Sequence, residues 1–324
     1  MSAEAREATD NGGGDEEVLV ACETPSWRVI GASVGGTLVR DGRKAMQDAC
    51  KAEVTSKGDL LLAVADGAGS ARLGALGARS AVRMAIASLR CALQGWFSSS
   101  YPDLVDEVDE ELWRPFAHRI LRNTRFAVVH AAAEAGAYRD DVATTLTLVF
   151  ATSTHVLVAQ VGDGRCAALR PDGSWEALTS PQRGAYAGET QFLTSAGWRR
   201  NPRQLEVRVL KGPVEAIAVL TDGCERVAYE CLGYDEAAGR YVVANTPHAP
   251  FLTPNVRAMQ RLLSVTAAGA GGSMAIARAW GAFLREGTPE LPALRGEPDD
   301  KTLVLAVRTA SNGGAAPGTS STEP

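Results

Sequence analysis

The chain is 324 residues long with 45% hydrophobic content, enough apolar material for one large core or two ordinary ones. Its formal net charge of −5 comes without any Lys/Arg block, which argues against nucleic acid or an anionic membrane as a partner. No apolar run reaches bilayer length, and Met1 to Glu17 is polar, acidic and Gly-rich, the reverse of a signal peptide.

The expectation is therefore a cytoplasmic protein. The six cysteines, Cys22, Cys50, Cys91, Cys166, Cys224 and Cys231, show no CxxC pair and no framework spacing, as expected of free thiols in a reducing compartment. Met1 to Glu17 and Ser311 to Pro324 read as disordered tails around a single domain over residues 18–310. Strands are predicted at Trp27 to Val39, Asp59 to Ala65, Ala143 to Ala151, His155 to Val161, Arg165 to Arg170, Leu205 to Leu210, Val214 to Leu220 and Thr302 to Arg308. Helices are predicted at Gly74 to Leu93, at Leu104 to Ala135 with a break near Pro115, and at Asn255 to Ser264 and Ser273 to Leu284 around the Gly-rich Ala268 to Gly272. The order is strands, helices, strands, helices, strand, which fits segregated α+β layers better than βαβ alternation.

Three of the apolar runs end on an aspartate: Leu61 to Ala65 on Asp66, Val156 to Gly162 on Asp163, and Ala216 to Thr221 on Asp222. A fourth, Leu303 to Val307, is preceded by Asp299-Asp300. Asp-Gly is also a common turn signal, and of the five such pairs here Asp41-Gly42 and Asp172-Gly173 read as plain turns. Asp66, Asp163 and Asp222 differ, because each closes a buried run with no partner strand immediately after it. A carboxylate placed so, with no basic residue beside it, is costly unless a cation balances it. Converging carboxylates would repel one another, and bound divalent ions remove that repulsion.

Six segments carry a family resemblance: Arg43 to Ala49, Val64 to Gly67, Ala143 to Thr145, Val161 to Arg165, Leu220 to Gly223 and Asp299 to Thr302. In this order they resemble the metal-dependent serine/threonine protein phosphatases of type 2C, the PPM family, and Tyr186 to Thr194 is similar to its compact bacterial branch. The resemblance implies a central antiparallel β-sandwich with helices on both sides, a four-layer α-β-β-α fold. It implies hydrolysis of phosphoserine and phosphothreonine on proteins, by in-line attack of a hydroxide bridging two Mn²⁺ or Mg²⁺ ions. In that family the counterpart of Asp66 bridges both ions, the Gly67 carbonyl binds one, and Asp222 and Asp299 bind the other. Arg43 corresponds to the residue that grips phosphate, which suits a guanidinium fork, and Asp48 to the one that orients metal-bound water. Asp163 either helps Asp222 hold a third, looser ion or is a structural strand-end residue bonded to Arg165. Asp299 rather than Asp300 is taken as the ligand on register alone.

The pattern departs from the family at Ala68, where many members carry a histidine acting as general acid, and at Ala143 and Gly164, which replace Gly and Ser. His118, His130 and His155 read as surface or packing residues. The arginines Arg72, Arg79, Arg83 and Arg90 form one helical stripe that reads as solvated, with Arg72 near enough to Asp66 to face an anion. Phe192, Trp198 and Tyr186 either border the cleft as a flap over Thr179 to Leu205 or pack in the core. The expected partner is a phosphorylated protein, with a cognate kinase behind it, and the enzyme is expected to be a monomer. The alternatives are a catalytically silent module of the same fold, disfavoured because Asp48, Asp66, Asp222 and Asp299 are all present, and a hydrolase of small phosphoesters.

Overall fold

The computed structural model describes residues 6–10, 17–24, 26–98, 107–182, 190–235, 240–265 and 270–309. Two antiparallel sheets face each other. In order of hydrogen-bonded neighbours the first contains β1 (Arg6–Asp10), β2 (Glu17–Glu23), β3 (Trp27–Val34), β14 (Lys301–Arg308), β11 (Ala216–Leu220), β8 (Arg165–Leu169) and β9 (Trp175–Ala177). The second contains β10 (Glu206–Lys211), β7 (His155–Val161), β6 (Leu146–Ala151), β5 (Leu60–Asp66) and β4 (Asp48–Val54).

The central strands are continuously apolar because both of their faces are covered. Along β5 the side-chain alternation sends Leu60, Leu62 and Val64 into the space between the sheets and Leu61, Ala63 and Ala65 toward the outer helices. Strand β11 divides in the same way, with Ile217 and Val219 facing inward and Ala216, Ala218 and Leu220 outward. On the second sheet lie α2 (Gly74–Ser98) and α3 (Glu110–Glu134). The first of these presents Ala78, Ala81, Val82, Ala85, Ile86, Leu89 and Leu93, a helical stripe. The first sheet is covered by α6 (Ala249–Val265) and α7 (Ala270–Glu286). This is the expected four-layer arrangement, and each fully buried Leu, Ile or Val in it contributes about 1.5–3 kcal/mol.

Several elements differ from expectation. The strand predicted to reach Val39 stops at Val34, and Thr37–Arg40 forms a short helix, α1. Strand β4 was not predicted. It lies at the edge of its sheet, where Lys51 and Glu53 can be accommodated without breaking the ladder. Helix α3 runs through Pro115 unbroken. Asp109 caps it by accepting from Leu112 N–H at 2.9 Å, and Trp113 anchors it by donating its indole N–H to the Val158 carbonyl at 2.8 Å. Helix α6 likewise starts six residues early, at Ala249, and passes through Pro254. The hairpin β12 (Tyr229–Asp235) and β13 (Arg240–Pro247) forms a two-stranded sheet of its own that packs beside β9, and was also missed.

Of the tail expected to be disordered, Arg6–Asp10 pairs with β2 through backbone bonds that the polar sequence does not signal. The rest of residues 1–16, residues 310–324, Tyr186 and the Gly-rich segment around residue 268 lie largely outside the described residues. No helix among the described residues is long and apolar enough to cross a membrane. All six cysteines are free, with Cys22, Cys50, Cys166 and Cys224 buried.

Candidate active site

Topology brings the aspartates to one end of the sandwich. Strand β5 ends on Asp66 directly opposite Asp48, the first residue of β4. Asp163 lies in the crossover from β7 to β8, and the register places Arg165 opposite Leu220 and Leu220 opposite Leu303. Asp222, just past β11, and Asp299, just before β14, therefore emerge beside Asp163.

Each carboxylate is held by local chemistry. The backbone of Asp66 is clamped by Thr144 and Thr145: its N–H donates to Thr145 Oγ1 at 3.0 Å, while its carbonyl accepts from Thr145 N–H and Thr144 Oγ1, both at 2.8 Å. The Asp48 side chain is buried, and its Oδ2 accepts from the hydroxyls of Thr221 at 2.8 Å and Thr302 at 2.7 Å. Asp300 is also buried, and accepts from Gly36 N–H at 3.3 Å and Gln47 N–H at 2.6 Å. Asp300 thus fastens the loop carrying Arg43 to the start of β14. Asp299 stays partly exposed, and Lys44 Nζ reaches its Oδ1 at 2.9 Å.

Two kinds of Asp-Gly pair separate here. Gly173 has φ +84° with open space around it, and its Asp172 accepts from Ser174 N–H at 2.9 Å, a turn and nothing more. Gly223 instead lies where a Cβ would stand 1.9 Å from the Asp300 carbonyl oxygen. At this position glycine lets two loops bearing candidate ligands touch.

Asp163 accepts from Thr190 Oγ1 at 2.6 Å, a bond to the irregular segment after β9. Arg165, offered in one reading as its partner, is buried and ion-pairs with Glu225 at 2.8 Å, with its guanidinium 4.8 Å over the Tyr229 ring. Arg43 is exposed in the loop after α1, where its N–H donates to the Leu38 carbonyl at 2.9 Å. Arg72 is exposed and faces Asp141 at 3.4 Å, so it is turned to a structural carboxylate. Phe192 packs on Ala68, Ala71 and Ala143 beside Asp66, whereas Trp198 is fully buried in the core. His118 meets Trp198 edge-on, His130 faces Glu134 and His155 is buried against Thr154.

The electrostatics is that of a site short of positive charge. Burial, and then the charge of Asp300, hold the Asp48 carboxyl well above the usual range, against the pull of the Thr302 and Thr221 hydroxyls. Burial and the charges of Asp48, Asp222, Asp299 and Asp163 do the same to Asp66. Asp222 is pushed up to about 7 by burial, then by Asp163, Asp299 and Glu225. Burial also raises Asp163 and Asp300. These are the signs expected where divalent cations are held. Among the described residues no three His, Cys, Asp or Glu side chains already close on one point as a metal cage. Carboxylate oxygens of this kind suit hard divalent cations.

An antiparallel sandwich between helix layers, with a cluster of carboxylates at one end that outnumber the single ammonium of Lys44, is the setting of a divalent-cation site. Residues 36–263 match the model of the family described as Protein phosphatase 2C. Serine/threonine-protein phosphatase 3 of Escherichia coli (strain K12) is 31% identical over 233 residues, covering 71% of this chain and 81% of that protein. The chain belongs to the protein phosphatase 2C family, and its class of activity is that of a metal-dependent protein phosphatase. Among solved structures, serine-threonine phosphatase 2C from Toxoplasma gondii superposes with a TM-score of 0.56 at 14% identity, covering 91% of this chain and 100% of that one. A bacterial serine phosphatase carrying a point substitution gives 0.50 at 14% identity over 88% and 98%. These two likenesses establish the fold.

Lys44, Thr144, Thr145, Thr221 and Thr302 are the site residues that sequence reasoning left without a role. All five lie inside the motif segments themselves, and that adjacency was the available signal.

Proposed function

We propose that residues 18–310 form one catalytic unit that hydrolyses phosphoserine and phosphothreonine on proteins, using two Mn²⁺ or Mg²⁺ ions and a third at Asp163. Asp66, the Gly67 carbonyl, Asp222 and Asp299 would hold the ions, with Asp222 and Asp163 sharing the looser one. When bound, the ions supply Lewis-acid activation of the attacking water and offset the charge of the phosphoryl group. The observation that carries the reading is the set of mutually repelling carboxylates, Asp66, Asp222, Asp299 and Asp163, at one end of the sandwich.

Asp48 orients the nucleophilic water through Oδ1, the oxygen that the Thr221 and Thr302 bonds leave open. Those bonds fix the carboxylate's rotation, so the water is held in one direction. Arg43 binds two phosphate oxygens from an exposed position in the loop, next to Lys44. Its loop is held in register by Asp300, which bonds Gly36 and Gln47 on either side of it. Ala68 carries no proton to donate, so the proton for the leaving serine or threonine oxygen comes from a water at the site or from another group.

The substrate is a kinase product, and the working compartment is the cytoplasm, where the protein acts as a monomer. The test is dephosphorylation of phosphoserine, phosphothreonine and phosphotyrosine peptides as Mn²⁺ or Mg²⁺ is titrated. Activity on the first two that disappears in chelator is expected. Full turnover in chelator at neutral pH overturns the reading.

A further inference from the structure

Lys44 is a half-buried cation at the carboxylate cluster. Its Nζ stands 2.9 Å from Asp299 Oδ1, and a Cβ added at Gly69 would be 3.5 Å from it. The ammonium is therefore lodged between the loop that follows α1, the start of β14 and the loop that follows β5. Burial alone would lower its pKa. The bond to Asp299 and the charges of Asp299, Asp300 and Asp66 outweigh burial and raise it. Three carboxylates thus act on one ammonium, a different setting from the exposed pairs elsewhere on the surface, such as Arg139 with Asp140. Exposed pairs of that kind contribute about 0–1 kcal/mol.

We propose that Lys44 is a resident counter-ion of Asp299 which a divalent cation must displace or oppose, so that this side chain sets how tightly the metal at Asp299 is held. The inference rests on the reading of Asp299 as a metal ligand and deepens it. An ammonium is a compact, strongly hydrated point charge, and of the protein's own groups it resembles a hard cation most closely. Asp299 Oδ1 already accepts from Lys44 Nζ and from Asp300 N–H at 3.0 Å. A cation arriving at Oδ1 has to break the ion pair. One arriving at Oδ2 meets a positive charge next door. Either way the ammonium lowers the affinity of this site, and makes occupancy depend on the free cation concentration.

Lys44→Gln removes the charge and keeps a polar group of similar reach. Calorimetric titration of Mn²⁺ into chelator-stripped full-length protein is expected to show the binding event that Asp299→Asn abolishes tightened by about tenfold or more, because one charge within ~4–6 Å moves a carboxylate's affinity for a cation by that order. Lys44→Met gives the same expectation if the Gln variant does not fold, as judged by its thermal transition. Lys44→Arg keeps the charge and stays within about twofold of wild type. Unchanged or weaker Mn²⁺ binding in Lys44→Gln overturns the proposal, including the case where the phosphopeptide KM rises instead and Lys44 is a phosphate ligand. Asp299→Asn separates the two levels. If it leaves every Mn²⁺ event intact, the assignment of Asp299 itself fails. If it removes one event while Lys44→Gln changes nothing, only the role of Lys44 falls.

Discussion

Asp48 and Asp66 stand opposite each other at the last register position of the β4/β5 ladder. Directly opposed residues of an antiparallel pair have neighbouring side chains, and like charges in that arrangement destabilise the sheet. Burial and then the charge of Asp48 raise the proton affinity of Asp66, and burial and then the charge of Asp300 raise that of Asp48. The strand pairing that builds the cluster is therefore opposed by the cluster's own charge.

Removing one of the two charges should separate stability from activity. Asp66→Asn keeps the size of the side chain and the backbone clamp from Thr144 and Thr145. In chelator this variant should melt at a higher temperature than wild type, while its turnover with saturating Mn²⁺ falls by orders of magnitude. Thermal melts in chelator and steady-state rates decide it. A variant that melts lower and still turns over at the wild-type rate would reduce Asp66 to a turn residue.

The same electrostatics gives a pH dependence with a definite sign. Asp222 moves from 3.8 to about 7, and Asp48, Asp66, Asp163 and Asp300 also move up. A carboxyl with a raised folded pKa binds more protons folded than unfolded, so stability is present in full below the unfolded value and is lost as pH rises through the folded one. For Asp222 that window runs from about 4 to about 7. The chelated protein should lose melting temperature from pH 5 to pH 8. With saturating Mn²⁺ the trend should flatten or reverse, because the ions bind the deprotonated form. A melting temperature in chelator that rises across the window contradicts the cluster electrostatics.

How far the site could be read from the sequence depended on the distance between the parts. The apolar runs ending at Asp66 and Asp222 were visible because burial on both faces gives unbroken Leu, Val, Ile and Ala. Choosing Asp299 over Asp300 rested on register alone; in the structure Asp300 accepts from two backbone N–H groups of the Arg43 loop, while Asp299 accepts from Lys44 and from Asp300 N–H. Strand β4 was hidden because its outward Lys51 and Glu53 break the apolar pattern. The Lys44 contact spans 255 residues and the Thr302 contact 254, and no local pattern reports pairings of that range. Arg165 was legible as a neighbour of Asp163, but its partner Glu225 comes from beyond the next motif.

The two hydroxyls on Asp48 supply a third test. Thr302→Val and Thr221→Val each remove one donor to a buried carboxylate, a loss of about 1.5–3 kcal/mol for a charge-assisted bond. Both hydroxyls lower the proton affinity of Asp48, so losing either raises it further. The acid limb of the kcat profile should move to higher pH in both variants, more in the double variant than in either single one. Profiles identical to wild type would show that Asp48 does not titrate with catalysis.

The last prediction separates phosphate binding from metal binding. Arg43 is exposed five residues before Asp48, and its loop is anchored through Gly36 and Gln47 rather than through Arg43 itself. Substitution there should leave the fold and the metal requirement unchanged. Lys offers a point charge without the planar fork, so Arg43→Lys should raise the phosphopeptide KM, or change KM and kcat together, at an unaltered Mn²⁺ dependence. Arg43→Ala should lose about 1.5–3 kcal/mol of transition-state binding, roughly tenfold or more in kcat/KM. Steady-state kinetics at saturating Mn²⁺ measure this directly. Unchanged kcat/KM in Arg43→Ala would exclude the residue from phosphate binding.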